Sequence, residues 1–287
     1  MFKKQKDWLK HRFRARKKPT FRENVQIADQ TVMIVSNLDF LDINPGDYFS
    51  ASSKEHDAVL AILHGDCKSA MLEMATKRMY ITLDDQAIQE REHMCVMRMA
   101  AAYLTDLLSD KYDSVHGCGM VVCQNERPYG LLFVGRSGSH KSHLRRQFDD
   151  YPHLAGGHVI WERAGNNTTL DDDIMLVDGK DMHLVGTTNS VWVKKQGRNY
   201  IYYRNDGLTK ATIDQVFLLD RQKPAGYIRE TQREIPRSIA VFDQIEDNSC
   251  YIKKEPIKVS APVYNLGTNG DLAEAKRAIE EVLAQGI

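Results

Sequence analysis

The segment Gly135–Ser142, which reads GRSGSHKS, constrains the fold of this chain more than any other segment. It directly follows the apolar run Gly130–Val134. A strand that enters a glycine-containing turn ending in Lys-Ser, followed by a helix, is the arrangement that wraps backbone N–H groups around phosphates. The segment fits the pattern G-x-x-x-x-G-K-[ST] except at His140, which stands where the pattern has its last glycine. The sequence therefore predicts a strand, a phosphate loop and a helix in succession.

Each part of this loop is expected to have its own role in binding phosphates and Mg²⁺. The N–H groups of residues 136–142 are expected to face phosphates, Lys141 to reach the outer phosphates, and the Ser142 hydroxyl to bind Mg²⁺. A simple Gly/Ser turn before a helix with a surface lysine is the structural alternative. The expected nucleotide-binding residues are Gly135, Ser137, Gly138, Ser139, His140, Lys141 and Ser142.

An acidic run lies further along the chain. Asp171, Asp172 and Asp173 come directly before the apolar run Ile174–Val177, which is typical of a buried strand. Carboxylates this close repel one another unless a cation, hydrogen bonds or a shared proton relieves the repulsion. Mg²⁺ suits such a site because it prefers one or two carboxylates together with phosphate oxygens and water. A solvated acidic turn is the alternative interpretation.

His116 is the third candidate, just before the apolar run Cys118–Cys123. A single histidine among the ten in this chain is more often structural or exposed than catalytic. Its position in the chain relative to the loop and the acidic run gives it a candidate catalytic role.

Composition limits the classes of protein that this chain can belong to. With 42% apolar residues it has enough for a core, and no apolar run is long enough to span a membrane. Its five cysteines lack paired spacing, which favours a reducing, cytoplasmic location over a disulfide framework or a zinc site. Residues 1–20 hold nine Lys or Arg and one acid, so a basic arm of charge +8 precedes a body of charge −8. Such an arm suits an anionic partner, or it is a solvated tail.

The pattern of apolar residues predicts alternating strands and helices. A helix is expected over Ala58–Leu63, a long one over Asp84–Ser109, a short one over His143–Asp150 and a closing one over residues 271–284. The runs Cys118–Cys123 and Leu131–Val134 are expected to form a hairpin that leads into the loop. Further strands are expected at Gln30–Val35, Ile174–Val177, Val191–Lys194, Tyr200–Tyr203, Val216–Leu219 and Ile239–Phe242.

The order of these elements resembles the catalytic domain of bacterial HPr kinase/phosphorylase. It is also similar to lasso-peptide precursor kinases and, more distantly, to PEP carboxykinase. Ser114–Gly117, a hairpin, the Gly-x-Ser-Gly-x-x-Lys-Ser loop and an acidic pair before an apolar strand carry the resemblance, which covers roughly residues 85–285. Val216–Asp220 and Pro262–Leu266 look like this family's later strands.

The resemblance implies roles for individual residues. It places phosphate binding on Gly135, Gly138 and Lys141, and the metal on Ser142 and one carboxylate. The other carboxylate would act as the base toward a serine hydroxyl, with His116 beside it. Alignment on the downstream apolar run makes Asp172 the base and Asp173 the metal ligand, and a slip of one residue makes them Asp171 and Asp172. Because neighbouring residues of a strand point to opposite faces, the two registers are distinct predictions.

The resemblance also implies a fold and an activity. The expected fold is α/β, an α+β mixed sheet with a PEP carboxykinase/HPr kinase-like P-loop core and a small N-terminal β-rich extension. We expect a basic arm at 1–20, an α+β region at 21–110 that ends in a long helix, and the catalytic domain at 111–287. The implied activity is ATP- and Mg²⁺-dependent phosphorylation of a serine in a peptide or protein, by a protein that forms homo-oligomers.

Two other functions use the same residues. The first is a nucleotide sensor without turnover, which the histidine at position 140 motivates. The second is a small-molecule kinase, which differs only in its acceptor. A purely structural role for the loop is the remaining interpretation, and the sequence does not choose the acceptor.

Overall fold

The computed structural model of this chain describes most of its length in separate ranges. The described residues are 21–38, 49–89, 92–109, 111–124, 127–136, 138–148, 159–161, 168–171, 175–178, 183–185, 190–196, 199–204, 210–236, 247–248 and 255–285. The predicted basic arm at 1–20 and the strand predicted at Ile239–Phe242 lie outside them.

The described elements are mostly strands. In chain order they are β1 (Phe21–Ile27), β2 (Gln30–Ser36), β3 (Ser50–Ala51), β4 (Ala58–His64), β5 (Ser69–Glu73), β6 (Arg78–Leu83), α1 (Asp85–Gln89), α2 (Glu92–Leu108), β7 (Tyr112–Val115), β8 (Gly117–Gln124), β9 (Arg127–Val134), α3 (Lys141–Arg146), β10 (Val159–Trp161), β11 (Thr168–Asp171), β12 (Met175–Asp178), β13 (His183–Val185), β14 (Ser190–Gln196), β15 (Asn199–Arg204), β16 (Lys210–Thr212), β17 (Gln215–Pro224), β18 (Ile228–Glu230), β19 (Glu234–Ile235), β20 (Asp247–Asn248), β21 (Ile257–Lys258), β22 (Val263–Asn269) and α4 (Leu272–Ala284).

The chain divides into two compact units. The first contains residues 1–108 and 241–252, and the second contains residues 109–240 and 253–287. Strand β20 joins the sheet of the first unit although it lies late in the chain.

The described strands of the first unit form one mixed sheet. Its strand order is β20-β5-β6-β4-β2-β1-β3, with β2, β4 and β6 parallel to one another and the β1–β2 and β5–β6 pairs antiparallel. The helix predicted over Ala58–Leu63 is wrong, because this segment is strand β4. Its run of apolar residues is buried along its length between β2 and β6, as in a central strand. A short apolar run is compatible with either a buried helix or a buried strand, so the sequence pattern alone did not distinguish them.

The second unit contains the sheet that carries the loop. The strand order of this sheet is β11-β8-β9-β17-β22-β18. Strands β9, β17 and β22 are parallel, whereas β8 pairs antiparallel with β9 and with β11. A second sheet has the order β16-β13-β12-β7, and β10-β15-β14 and β19-β21 form smaller ones. The expected mixed α+β class is therefore confirmed.

Strand β9 is buried on both faces of its sheet. Leu131 and Phe133 pack on one face in a cluster that includes Leu144 of α3 and Ile279 of α4. Leu132 and Val134 alternate with them and pack on the other face in a separate cluster. Burial on both sides accounts for the unbroken apolar run before the loop and fixes the strand from which the loop starts.

Most of the other predicted elements are confirmed. The hairpin is β8 and β9, which pair from Gly117 with Val134 to Gln124 with Arg127. The predicted long helix corresponds to α1 and α2, and the closing helix to α4, which begins after Asp271 because the Asp271 side chain accepts a hydrogen bond from the N–H of Ala273. The short helix begins two residues earlier than predicted, at Lys141. No helix among the described residues is long and apolar enough to span a membrane.

Candidate functional site

The candidate loop lies between β9 and α3. Strand β9 ends at Val134 and α3 begins at Lys141, so the predicted succession of strand, loop and helix is confirmed. Ser137, one of the expected nucleotide-binding residues, lies outside the described residues.

Two of the described loop residues lie in the left-handed region of backbone conformation. Gly138 has φ 74° and His140 has φ 71° with ψ 18°. Between them, the N–H of Ser139 donates a 3.1 Å hydrogen bond to the carbonyl oxygen of Arg136. Turns that combine right-handed and left-handed residues form concavities of N–H groups that bind anions. Position 140 thus adopts the conformation that favours glycine, which explains why the general pattern has a glycine there.

The His140 side chain ties the loop to a neighbouring strand. Its Nδ1 lies 3.1 Å from the carbonyl oxygen of Thr268, near the end of β22. A carbonyl oxygen only accepts, so Nδ1 carries the proton in this contact. The Thr268 hydroxyl in turn donates to the carbonyl oxygen of Ser139 at 3.3 Å. These two bonds, here called the Thr268 clip, hold residues 139 and 140 against β22, and His140 has a left-handed backbone that is uncommon for residues other than glycine.

Lys141 folds back over the loop. Only 4% of the residue is exposed, and its Nζ donates to the carbonyl oxygens of Gly135 at 2.9 Å and Arg136 at 3.1 Å. Burying an ammonium group is unfavourable unless hydrogen bonds compensate for its lost hydration. The lysine therefore joins the two ends of the loop and places a positive charge there.

Gly135 and Ser139 face each other across the loop. A Cβ at Gly135 would overlap the Ser139 Oγ and would lie 3.3 Å from the Cβ of Leu219. The Ser139 Oγ is buried and has no hydrogen-bond partner among the described residues. Buried hydroxyls without a partner are rare, and they mark places where a ligand or water supplies one. This buried hydroxyl, in a loop that also holds the Lys141 ammonium, fits a phosphate oxygen as its missing partner.

His116 lies next to the first residue of the loop. It joins β7 to β8 and is 5% exposed. Its carbonyl oxygen accepts a 3.3 Å hydrogen bond from the N–H of Gly135. The structure thus brings together two of the three elements that the sequence singled out.

Of the acidic run, the structure describes Asp171, and it also describes the strand that follows the run. Asp171 is the last residue of β11 and pairs with Gly119, after a shift in register that begins at Thr169. Met175 is the first residue of β12 and pairs with Val115. Asp172 and Asp173 lie outside the described residues. Since Val115 and Gly119 flank His116, the described ends on both sides of the run pair with the segment that contains this histidine.

The described residues contain no group of three or more His, Cys, Asp or Glu side chains arranged to hold a metal ion. Ser142, an expected metal ligand, is half-buried in the first turn of α3. Its hydroxyl is one oxygen of the kind that Mg²⁺ accepts beside phosphate oxygens.

The structure adds two residues that the sequence analysis missed. Thr268 is fully buried and forms the Thr268 clip. Arg221 lies in the second half of β17, with its Nη1 3.3 Å from the position of a Cβ at Gly138. No local sequence signal marks these two residues, because they reach the loop through the parallel pairing of β9, β17 and β22, whose carboxyl ends meet at one edge of the sheet.

No protein-family model matches this sequence, and no curated protein is similar enough to count as a match.

Proposed function

We propose that this protein is an ATP- and Mg²⁺-dependent kinase that transfers the γ-phosphate to a serine hydroxyl of a peptide or protein. The proposal includes a P-loop core of the PEP carboxykinase/HPr kinase type, built on β9, the loop and α3. A homo-oligomer and a cytoplasmic location belong to the same proposal.

One observation carries this proposal most directly. The N–H of Gly135 is bonded to the carbonyl oxygen of His116, and the strands on either side of the acidic run pair with Val115 and Gly119. Segments far apart in the chain thus meet around one histidine. Phosphoryl transfer requires residues from different segments to lie close together, because it depends on charges positioned around the transferred group.

The loop would hold the polyphosphate. Its N–H groups and the Lys141 ammonium supply the positive potential that stabilises charge on phosphate oxygens. In the described structure Lys141 binds the carbonyl oxygens of Gly135 and Arg136, so phosphate binding would add to these bonds or replace them. The hydroxyl of Ser139 would gain the partner that it lacks.

The acidic run would divide two tasks. Asp172 would accept the proton of the acceptor hydroxyl, and Asp173 with Ser142 would hold Mg²⁺, with His116 beside them. The alternative register assigns these tasks to Asp171 and Asp172. Bound Mg²⁺ would neutralise charge on the phosphate oxygens.

Transfer of labelled γ-phosphate from ATP to cell-extract proteins or to the chain itself tests the proposal. We expect the wild type to label an acceptor, and Lys141→Ala and Asp172→Asn to lower the rate by about 100-fold or more. Lys258→Ala and Asp66→Asn, which change exposed residues elsewhere, are matched controls. Transfer by Lys141→Ala and Asp172→Asn at the wild-type rate would refute the proposal.

A second function, nucleotide sensing without turnover, is favoured by the Thr268 clip. The clip links the loop to β22 by two hydrogen bonds, so a nucleotide that changes the conformation of the loop would also displace β22. Calorimetry that shows Mg·ATP binding, together with no labelled product from any acceptor, would favour this function. Binding with transfer would favour the kinase. A small-molecule kinase would use the same site with a different acceptor.

A further inference from the structure

Arg221 lies beside the candidate loop, in the second half of the neighbouring strand β17. Strand β17 is parallel to β9, and Leu218 pairs with Val134, the last residue of β9. The chain therefore reaches Arg221 just beyond the level at which the loop begins. Its guanidinium Nη1 lies 3.3 Å from the position of a Cβ at Gly138.

Gly138 leaves the space that Arg221 occupies. The glycine has φ 74°, which already disfavours a side chain, and a Cβ would press on the guanidinium. The absence of a side chain thus lets a cation approach the loop backbone closely. The arrangement places a second positive charge against the loop in addition to Lys141.

The guanidinium of Arg221 is available to a ligand. The residue is exposed, and among the described residues no hydrogen bond or ion pair holds its side chain. A guanidinium presents a planar fork of donors that matches two phosphate oxygens at once, and it is less strongly hydrated than an ammonium. Among the described residues, Arg221 is thus an exposed cation without a bonded partner beside the loop backbone, which suits phosphate recognition.

We propose that Arg221 binds the polyphosphate of the nucleotide in the ground state, as a side chain that reaches the loop from β17. This inference rests on the proposed nucleotide-binding function and adds a residue to it. It assigns to Arg221 a contribution to nucleotide affinity that is separate from the contribution of Lys141.

Calorimetric titration of Mg·ATP into the intact chain tests this assignment. We expect Arg221→Ala to raise the Kd by about tenfold or more, since it removes charge-assisted hydrogen bonds to the phosphates. Arg221→Lys is expected to give an intermediate Kd, because it keeps the charge without the fork. Arg229→Ala, which removes an exposed arginine of β18, is the matched control and is expected to leave the Kd within about twofold of the wild type.

The outcomes separate this inference from the proposed function. An Arg221→Ala protein that binds Mg·ATP as tightly as the wild type overturns the assignment and leaves the kinase proposal standing. Weaker binding by Arg221→Ala, with no phosphate transfer by the wild type, supports the assignment and refutes the kinase. A wild type that does not bind Mg·ATP refutes both. Thermal unfolding of each variant identifies any loss of affinity that comes from misfolding.

Discussion

The backbone N–H of Gly135 donates a 3.3 Å hydrogen bond to the carbonyl oxygen of His116. Gly117 pairs with Val134 next to this bond. The hydrogen bond between Gly135 and His116 therefore extends the pairing of β8 and β9 to the first residue of the loop. The loop therefore starts from a fixed point against His116. The Thr268 clip holds the other end of the loop near α3.

The left-handed conformation of His140 predicts that two substitutions at this position differ in their effect on stability. His140→Ala keeps the left-handed backbone and loses the hydrogen bond to Thr268, so we expect it to destabilise the protein by about 1 kcal/mol. His140→Gly loses the same bond and relieves the strain, so we expect it to be about 1 kcal/mol more stable than His140→Ala. Urea unfolding followed by circular dichroism measures the difference. An alanine variant as stable as the glycine variant would contradict the strain argument.

The close approach of Gly135 to Ser139 predicts coupled effects. Gly135→Ala introduces a Cβ that overlaps the Ser139 Oγ, so we expect a loss of about 1–3 kcal/mol and weaker Mg·ATP binding. Ser139→Gly removes the overlapping atoms, so the double variant is expected to be more stable than the sum of the two single effects implies. A double-mutant cycle of unfolding free energies measures this coupling. Strict additivity would show that the two residues do not meet as described.

The proposed register of the acidic run predicts which of three Asp→Asn substitutions lowers the transfer rate and which weakens the effect of Mg²⁺. We expect Asp172→Asn to lower the rate of transfer by about 10²–10⁴-fold while Mg·ATP still binds, because it removes the general base. Asp173→Asn is expected to weaken the effect of Mg²⁺ on ATP affinity, and Asp171→Asn to change little. Transfer rates and calorimetry on the three proteins decide the register. A large rate loss in Asp171→Asn, with the loss of Mg²⁺ dependence in Asp172→Asn, would establish the shifted register instead.

The raised pKa of Tyr264 predicts that the stability of the protein depends on pH in the alkaline range. Burial, and then the negative charge of Glu230, raise the pKa of its phenol above the ordinary 10.0, while Arg233 acts in the opposite direction. The stability that this residue contributes is therefore complete below about pH 10 and is lost as the pH rises through the raised pKa of the folded state. Phenolate absorbance of the wild type against Tyr264→Phe gives this pKa, and Glu230→Gln is expected to lower it. A Tyr264 that ionises at or below pH 10 would contradict the assignment.

The sequence was sufficient to predict the elements that depend on local chemistry. The loop between β9 and α3, the hairpin of β8 and β9, and α4 all follow from apolar periodicity, glycine and capping residues. The helix predicted over Ala58–Leu63 was wrong because burial on both faces removes the alternation that identifies a strand.

The remaining parts of the site depend on contacts between distant segments. Arg221 reaches the loop because β17 pairs in parallel with β9, and Thr268 does so because β22 pairs in parallel with β17. No local sequence pattern specifies this pairing. The two carbonyl bonds of Lys141 were likewise not predicted, because the sequence motif assigns the lysine to phosphates and not to the loop itself.

The most direct test of the account is whether metal and nucleotide bind together at the loop and the acidic run. Calorimetry of ATP binding with and without Mg²⁺ should be carried out on the wild type and on a variant with Asp171, Asp172 and Asp173 all changed to Asn. The account predicts that Mg²⁺ strengthens ATP binding to the wild type and that the triple variant binds ATP without this gain. An equal gain in the triple variant, or a wild type that binds no ATP, would contradict the account.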